Sequence, residues 1–252
     1  MCGIVGAIAQ RNVVPILVEG LKRLEYRGYD SAGVATLAGG KLQLVRAVGK
    51  VAQLEAAAPL PGTTGIAHTR WATHGVPAER NSHPQVSKTI AVVHNGIIEN
   101  YEELRDELTA QGYVFTSETD TEVLAHLIQH LVDAGNDLRA AMLKAIARIT
   151  GAYALAVISA KEPGRMLLAR RGSPLAIGIG VGEMFAASDA TALVSVTSRI
   201  VYLEEGDLGE ITQHGYAIFD RNGAPCVREE RLSQLASGAV EKGDYRHFMQ
   251  KE

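Results

Sequence analysis

Met1-Cys2-Gly3-Ile4-Val5-Gly6-Ala7-Ile8-Ala9 opens the chain. From Gly3 onward it is a short, unbroken apolar run, which reads as a buried strand. A start methionine ahead of a residue as small as cysteine is open to removal by aminopeptidases. Removal would leave Cys2 carrying a thiol and a free α-amine together. With reference pKa values of about 8.5 for the thiol and about 7.7–8.0 for the amine, the amine could act as the base that an activated nucleophile requires. A free cysteine in an apolar segment is also a common packing residue. The opening stretch alone leaves both readings open.

Working outward, the 252 residues are 46% hydrophobic and 21% charged, with a formal net charge of -3. That is ordinary globular material, enough for one domain with a large core. No block of Lys and Arg offers an electrostatic footprint for nucleic acid or an anionic membrane. No charged-then-apolar leader and no apolar run of about 18 residues is visible, so neither secretion nor membrane insertion is expected. With Cys2 and Cys226 its two cysteines, the chain reads as cytoplasmic, with both thiols reduced.

Asn12 is expected to cap a helix in which Val13, Leu17, Leu21 and Leu24 share a face, with Pro15 in its first turn. The helix should break at the Tyr26–Gly33 loop. Strands are expected near 34–38 and 42–48, separated by Gly39-Gly40, and again over Gly65–Arg70 after a short helix. Residues 71–88 look like a long loop of the kind that forms lids. Ile90–His94 reads as a strand that Asn95-Gly96 would terminate. Asn100 with Glu103 and Thr119 with Glu122 fit capping pairs for two helices, which Gly112 and Gly135 would stop. A third helix is expected from about Leu138 to Ile149. Beyond Gly151 the period changes to short apolar runs: 152–160, 165–170, 175–179, 183–187, 199–203, 209–212 and 216–220. Strands, then helices, then many strands argue for layered antiparallel sheets with helices on their outer faces, an α+β fold. Gly178-Ile179-Gly180-Val181-Gly182 fits no phosphate-binding spacing and reads as a turn. Residues 238–252 read as a polar surface tail or the start of a linker.

His68-Thr69-Arg70-Trp71-Ala72-Thr73-His74-Gly75 concentrates chemistry at a strand end. The Arg70 fork suits a carboxylate, Thr73 and His74 add donors, and Trp71 can exclude water; a structural ion pair for Arg70 is the plainer alternative. Asn95-Gly96 is either a hairpin turn or an amide and N–H pair able to hold an oxyanion. Asp120 is either a helix cap or an acceptor for a substrate ammonium. His68, His74, His83 and His94 match no metal-ligand spacing, so no metal is expected.

Taken together, Met1–Gly6, Tyr26-Arg27-Gly28-Tyr29-Asp30-Ser31-Ala32-Gly33, His68–Gly75, His94-Asn95-Gly96 and Ser117-Glu118-Thr119-Asp120-Thr121-Glu122 resemble, in order and spacing, the glutaminase domain of the N-terminal-nucleophile glutamine amidotransferases. Tyr29 and Trp71 differ from the Gln and Tyr expected of amidophosphoribosyltransferases, and asparagine synthetases would show Arg-Gly-Pro-Asp in the first loop. The pattern favours the branch whose partner domains are sugar-phosphate isomerases. The resemblance implies a four-layer αββα sandwich of the N-terminal-nucleophile hydrolase type, spanning residues 2–240. Residues 241–252 would begin a linker to the isomerase domains.

The resemblance also implies the chemistry. Cys2 would attack the side-chain amide of L-glutamine, and Asn95 and Gly96 would hold the oxyanion. Arg70, Thr73 and His74 would bind the substrate carboxylate, Asp120 its ammonium, and Trp71 would ride on the closing loop. Arg27 and His83 are supporting candidates. A γ-glutamyl thioester would release glutamate, and the ammonia would reach fructose 6-phosphate in a homo-oligomeric full-length enzyme, with no cofactor. The alternatives are the glutaminase domain of another amidotransferase, or a non-catalytic glutamine-binding domain.

Overall fold

The computed structural model describes residues 2–57 and 60–233; Met1 and the 238–252 stretch lie outside the described residues. In chain order the elements are β1 (Gly3–Ile8), α1 (Val14–Leu24), β2 (Ser31–Ala38), β3 (Lys41–Val48), α2 (Val51–Ala57), β4 (Thr64–Arg70), β5 (Gln85–Ser87), β6 (Ile90–Ile98), α3 (Tyr101–Ala110), α4 (Asp120–Asp133) and α5 (Leu138–Ile146). There follow β7 (Gly151–Ser159), β8 (Arg165–Arg171), β9 (Ala176–Ile179), β10 (Met184–Ala187), β11 (Arg199–Tyr202), β12 (Leu208–Thr212), β13 (Gly215–Phe219), β14 (Pro225–Cys226) and β15 (Glu230–Leu232).

The strands form two sheets, ordered β15-β11-β9-β10-β1-β4-β2-β3 and β14-β13-β12-β8-β7-β6-β5. Every neighbouring pair in both is antiparallel. Period-2 alternation along central strands sorts their side chains into separate cores. Ile4 and Ile8 of β1 join Ile66, Val93, Ala156 and Met166 between the sheets. Val5 and Ala7 face the other way, onto Leu17 and Leu21 of α1 and Leu54 of α2. On the far side, Val92, Leu155 and Val157 pack on Leu124 and Leu127 of α4 and Met142 of α5. Three apolar clusters between four layers, two of sheet and two of helix, make the αββα sandwich, so the fold expectation holds.

Local expectations were corrected in several places. Asn12 is not the N-cap of α1; Val13 is, and the Asn12 Oδ1 instead accepts the Val14 N–H at 3.2 Å. Ser31–Gly33 belong to β2 rather than to the loop before it. The 71–88 stretch contains a 3-10 turn at Glu79–Asn81 and strand β5, which pairs with β6. β6 does not stop at Asn95-Gly96 but runs through it, with Gly96 opposite Tyr153 of β7. Asn100 makes no capping bond with its side chain, which bonds the Arg148 carbonyl and the Thr150 N–H. Helix α5 ends at Ile146. Gly178 lies within β9, leaving the turn to residues 180–182.

Candidate active site

β1 and β4 run antiparallel side by side, with Gly3 opposite Thr69, so the start of one strand meets the end of the other. That register brings Cys2 beside Trp71, whose N–H donates to the Cys2 Sγ at 3.2 Å. From the other sheet, β6 delivers Asn95, whose Nδ2 donates to the Cys2 backbone carbonyl at 3.2 Å. The nucleophile candidate and the oxyanion candidates therefore arrive on different sheets and meet at one end of the sandwich.

A cavity of about 420 Å³ lies there, lined by Cys2, Arg27, Arg70, Trp71, Thr73, His74, His83, Asn95, Gly96 and Asp120. All the candidate catalytic, substrate-binding and supporting residues named from the sequence thus border one space, whereas His68 is not among its lining. The lining also includes His94, Ile97, Thr119, Thr121, Ser173, Pro174 and Ser188. Ser173 and Pro174 come from the β8–β9 connection and Ser188 from the end of β10. No local pattern marks them, because only the sheet order brings them in. Thr119 and Thr121 flank Asp120 in a motif already visible.

At the nucleophile, burial pushes the Cys2 thiol up, and the Trp71 N–H works against that rise. A protonated thiol at neutral pH needs a base within reach. Gly96 is required by its neighbours: its φ is +132°, and a Cβ would sit 2.0 Å from the Ala152 carbonyl oxygen. A glycine here lets the strand keep its pairing with β7 while the backbone borders the cavity.

Arg70 is 2% exposed, yet its Nη1 has no hydrogen-bond partner; the nearest counter-charge is Asp30 Oδ1 at 3.6 Å. The other fork, Nη2, donates to the carbonyls of His74 and, at 2.8 Å, Gly75. Nη1 is therefore ion-paired with Asp30 but makes no hydrogen bond, which leaves a buried charged donor on the cavity wall. Asp120 heads α4, but the cap is Thr119, whose Oγ1 accepts the Glu122 N–H at 3.3 Å. The Asp120 carboxylate instead accepts the Ile98 N–H at 2.9 Å through Oδ2, which ties α4 to β6. At 4% exposure it borders the cavity. Glu122 does not close the second half of the capping box: its carboxylate takes the N–H groups of Thr116 and Ser117.

Trp71, 55% exposed, lies across Gly28, where a Cβ would come within 2.5 Å of its ring and φ is +76°. The loop behind it is pinned at Asn81, which donates to the Val76 carbonyl at 2.9 Å and to Glu118 at 2.7 Å. Arg27 is paired with Asp189 at the rim. His83 packs against His68 with ring centroids 4.4 Å apart and planes tilted by 42°, and His74 sits against Tyr101. His94 Nδ1 bonds the Thr121 hydroxyl at 3.0 Å. Among the described residues no group of His, Cys, Asp or Glu is arranged to hold a metal ion. None of their helices is long and apolar enough to cross a membrane.

A family model described as a glutamine amidotransferase domain matches residues 68–195. Glutamine–fructose-6-phosphate aminotransferase (isomerizing) from Shigella flexneri is 57% identical, and that from Pseudomonas putida 58%, each over all of this chain and 42% of the relative. The chain thus spans less than half the length of the curated relatives it matches. Among solved structures, glutamine phosphoribosylpyrophosphate amidotransferase from B. subtilis superimposes with a TM-score of 0.76 at 27% identity, covering 87% of this chain and 49% of that one. A glutamine aminotransferase class-II domain protein from Silicibacter pomeroyi shares the fold, with a TM-score of 0.59 at 16% identity over 87% of this chain and 99% of its own. The sandwich is of the N-terminal-nucleophile type.

Proposed function

The chain belongs to the glutamine amidotransferase domain family, and from that premise we propose that it hydrolyses L-glutamine to glutamate and ammonia through a thioester on Cys2. The observation that carries this reading is a single cavity holding a thiol, an Arg70 nitrogen that makes no hydrogen bond and an Asp120 carboxylate. Those three groups match the δ-carbon, α-carboxylate and α-ammonium of glutamine.

In this reading Met1 is removed, and the freed α-amine takes the Cys2 proton as Sγ attacks the δ-carbon. Asn95 Nδ2 and the Gly96 N–H receive the oxyanion. The protonated amine passes its proton to the departing nitrogen, and ammonia leaves with the C–N bond broken. Water then attacks the thioester, and glutamate departs as the thiol is restored. Arg70, with Thr73 and His74, clamps the α-carboxylate, Asp120 takes the ammonium, and Trp71 covers the bound substrate. Arg27 and His83 support the walls.

The named relatives suggest the acceptor. Their shared name, and the 42% of their length spanned here, support residues 2–240 acting as the glutaminase unit, with 241–252 beginning a linker to sugar-phosphate isomerase domains. Ammonia would there convert fructose 6-phosphate to glucosamine 6-phosphate, in a cytoplasmic homo-oligomer. Higher identity to these relatives than to the phosphoribosyl enzyme favours that acceptor. Replacing Cys2 by Ala should reduce glutamate release from glutamine to background in a coupled assay. Activity persisting in that variant would require another nucleophile.

A further inference from the structure

Asn95 can serve an oxyanion only if its amide presents nitrogen, not oxygen, to Cys2. The two ends are similar in size, and rotation about the terminal torsion is broad and roughly two-fold. Something must therefore decide which end faces the thiol. His68 is fully buried, and its Nε2 lies 2.9 Å from Asn95 Oδ1. With Oδ1 as the acceptor the bond calls for the proton on Nε2 and a bare Nδ1; Nδ1 makes no hydrogen bond, and the His94 backbone lies against the ring. Burial holds the ring neutral, with a pKa pushed down to about 3. The ring packs against His83, with centroids 4.4 Å apart and planes tilted by 42°.

The placement matters beyond one side chain. His68 lies in β4, opposite Ile4 of β1 and Gly33 of β2. Asn95 lies in β6, opposite Ala154 of β7 in the other sheet. Their bond therefore crosses the space between the sheets, next to Asn95's own bond to Cys2. We propose that His68 is a positioning residue that locks the Asn95 amide, nitrogen toward Cys2, and thereby aligns the oxyanion donor on one sheet with the nucleophile on the other. This rests on the glutaminase reading above. It explains why a histidine occupies a fully buried strand position in the run leading to the carboxylate clamp.

The test uses the intact protein and separates this role from a structural one. His68→Leu keeps the bulk and removes the donor. It should lower kcat for glutamine hydrolysis by about 10²–10³, the cost of losing one oxyanion donor, while KM changes less than about threefold, since no substrate-binding group has moved. Combined with Asn95→Ala it should be no worse than Asn95→Ala alone. His68→Gln, which restores an N–H donor, should recover part of the loss. Alkylation of Cys2 by iodoacetamide, which forms no oxyanion, should proceed at the parental rate. Parental kcat in His68→Leu, a loss carried by KM, or multiplying losses in the double variant would overturn the proposal. Nitrogen NMR of the parental imidazole gives a second reading that does not depend on a variant folding. An Nε2–H, Nδ1-bare tautomer is required, and an Nδ1–H tautomer rejects the lock. If the parental protein itself released no glutamate, the glutaminase reading would fail first; the tautomer would still report on the bond.

Discussion

Cys2 enters the cavity as a thiol that burial makes reluctant to ionise, so its proposed attack needs a base, and the α-amine freed by loss of Met1 is the one proposed. Around it, the roles divide by charge. Asp120 is buried, accepts the Ile98 N–H and, at 3.5 Å, the Thr121 hydroxyl, and is proposed to take the substrate ammonium. Asp120→Asn keeps the shape and removes the charge; the KM for glutamine should rise about 10–100-fold, the span of a charge-assisted hydrogen bond, with a smaller effect on kcat. An unchanged KM in steady-state kinetics would remove the ammonium role. At this scale the sequence was readable where residue type and spacing match a chemistry, as in Arg70 and Asn95-Gly96. His68 was visible only as one histidine among several, because its meaning depends on a partner 27 positions away in the other sheet. Ser173 and Ser188 carried no signal at all.

Helix α4 and the 71–80 loop show how elements hold the site in place. Glu122, one turn into α4, is 2% exposed. Burial opposes its charge, but the nearby His126 ring and the N–H groups of Thr116 and Ser117 outweigh that and hold its pKa at about 2. Depressed below the unfolded value, it contributes stability that is complete above about pH 4.5 and lost as pH falls toward 2. The contribution is on the order of 3 kcal/mol. Chemical denaturation from pH 7 to pH 3 should show the parental protein losing stability through this window and Glu122→Gln, weaker at pH 7, losing less. Equal slopes would show the window belongs to other carboxylates. Beneath the loop, Gly28→Ala should push Trp71 off its seat and raise KM for glutamine. Trp71 is the one tryptophan in the chain, so its emission should shift toward the blue on glutamine binding in the parent and less in the variant. The sequence reading found these elements but misjudged ends: the Asn-Gly pair resembled a turn because the dipeptide is one, until β7 on its flank demanded that the strand continue. The same holds for Asn100, whose side chain serves the Arg148–Thr150 segment instead of its own helix.

Across the whole molecule, the sandwich is stabilised by three apolar layers, and the middle one also sets the distance between nucleophile and oxyanion donors. Ile66→Ala opens a cavity between the sheets at a fully buried position and should cost about 2–5 kcal/mol in equilibrium denaturation. Val181→Ala, at a position 99% exposed, should stay within about 0.5 kcal/mol. Losses of similar size at both would contradict the layered core. The layer order was legible because alternating strands around a helical block admit few packings. The sheet order was not, since β1 pairs with β4 and β10 rather than with a neighbour in sequence. The central claim, that Cys2 is an N-terminal nucleophile for glutamine, is tested most directly by intact mass spectrometry. Protein shown to lack Met1 is treated with an electrophilic glutamine analogue. One equivalent should add, mapped to Cys2 by peptide analysis, and excess glutamine should slow the addition. An unchanged mass, or an adduct on Cys226, would contradict it.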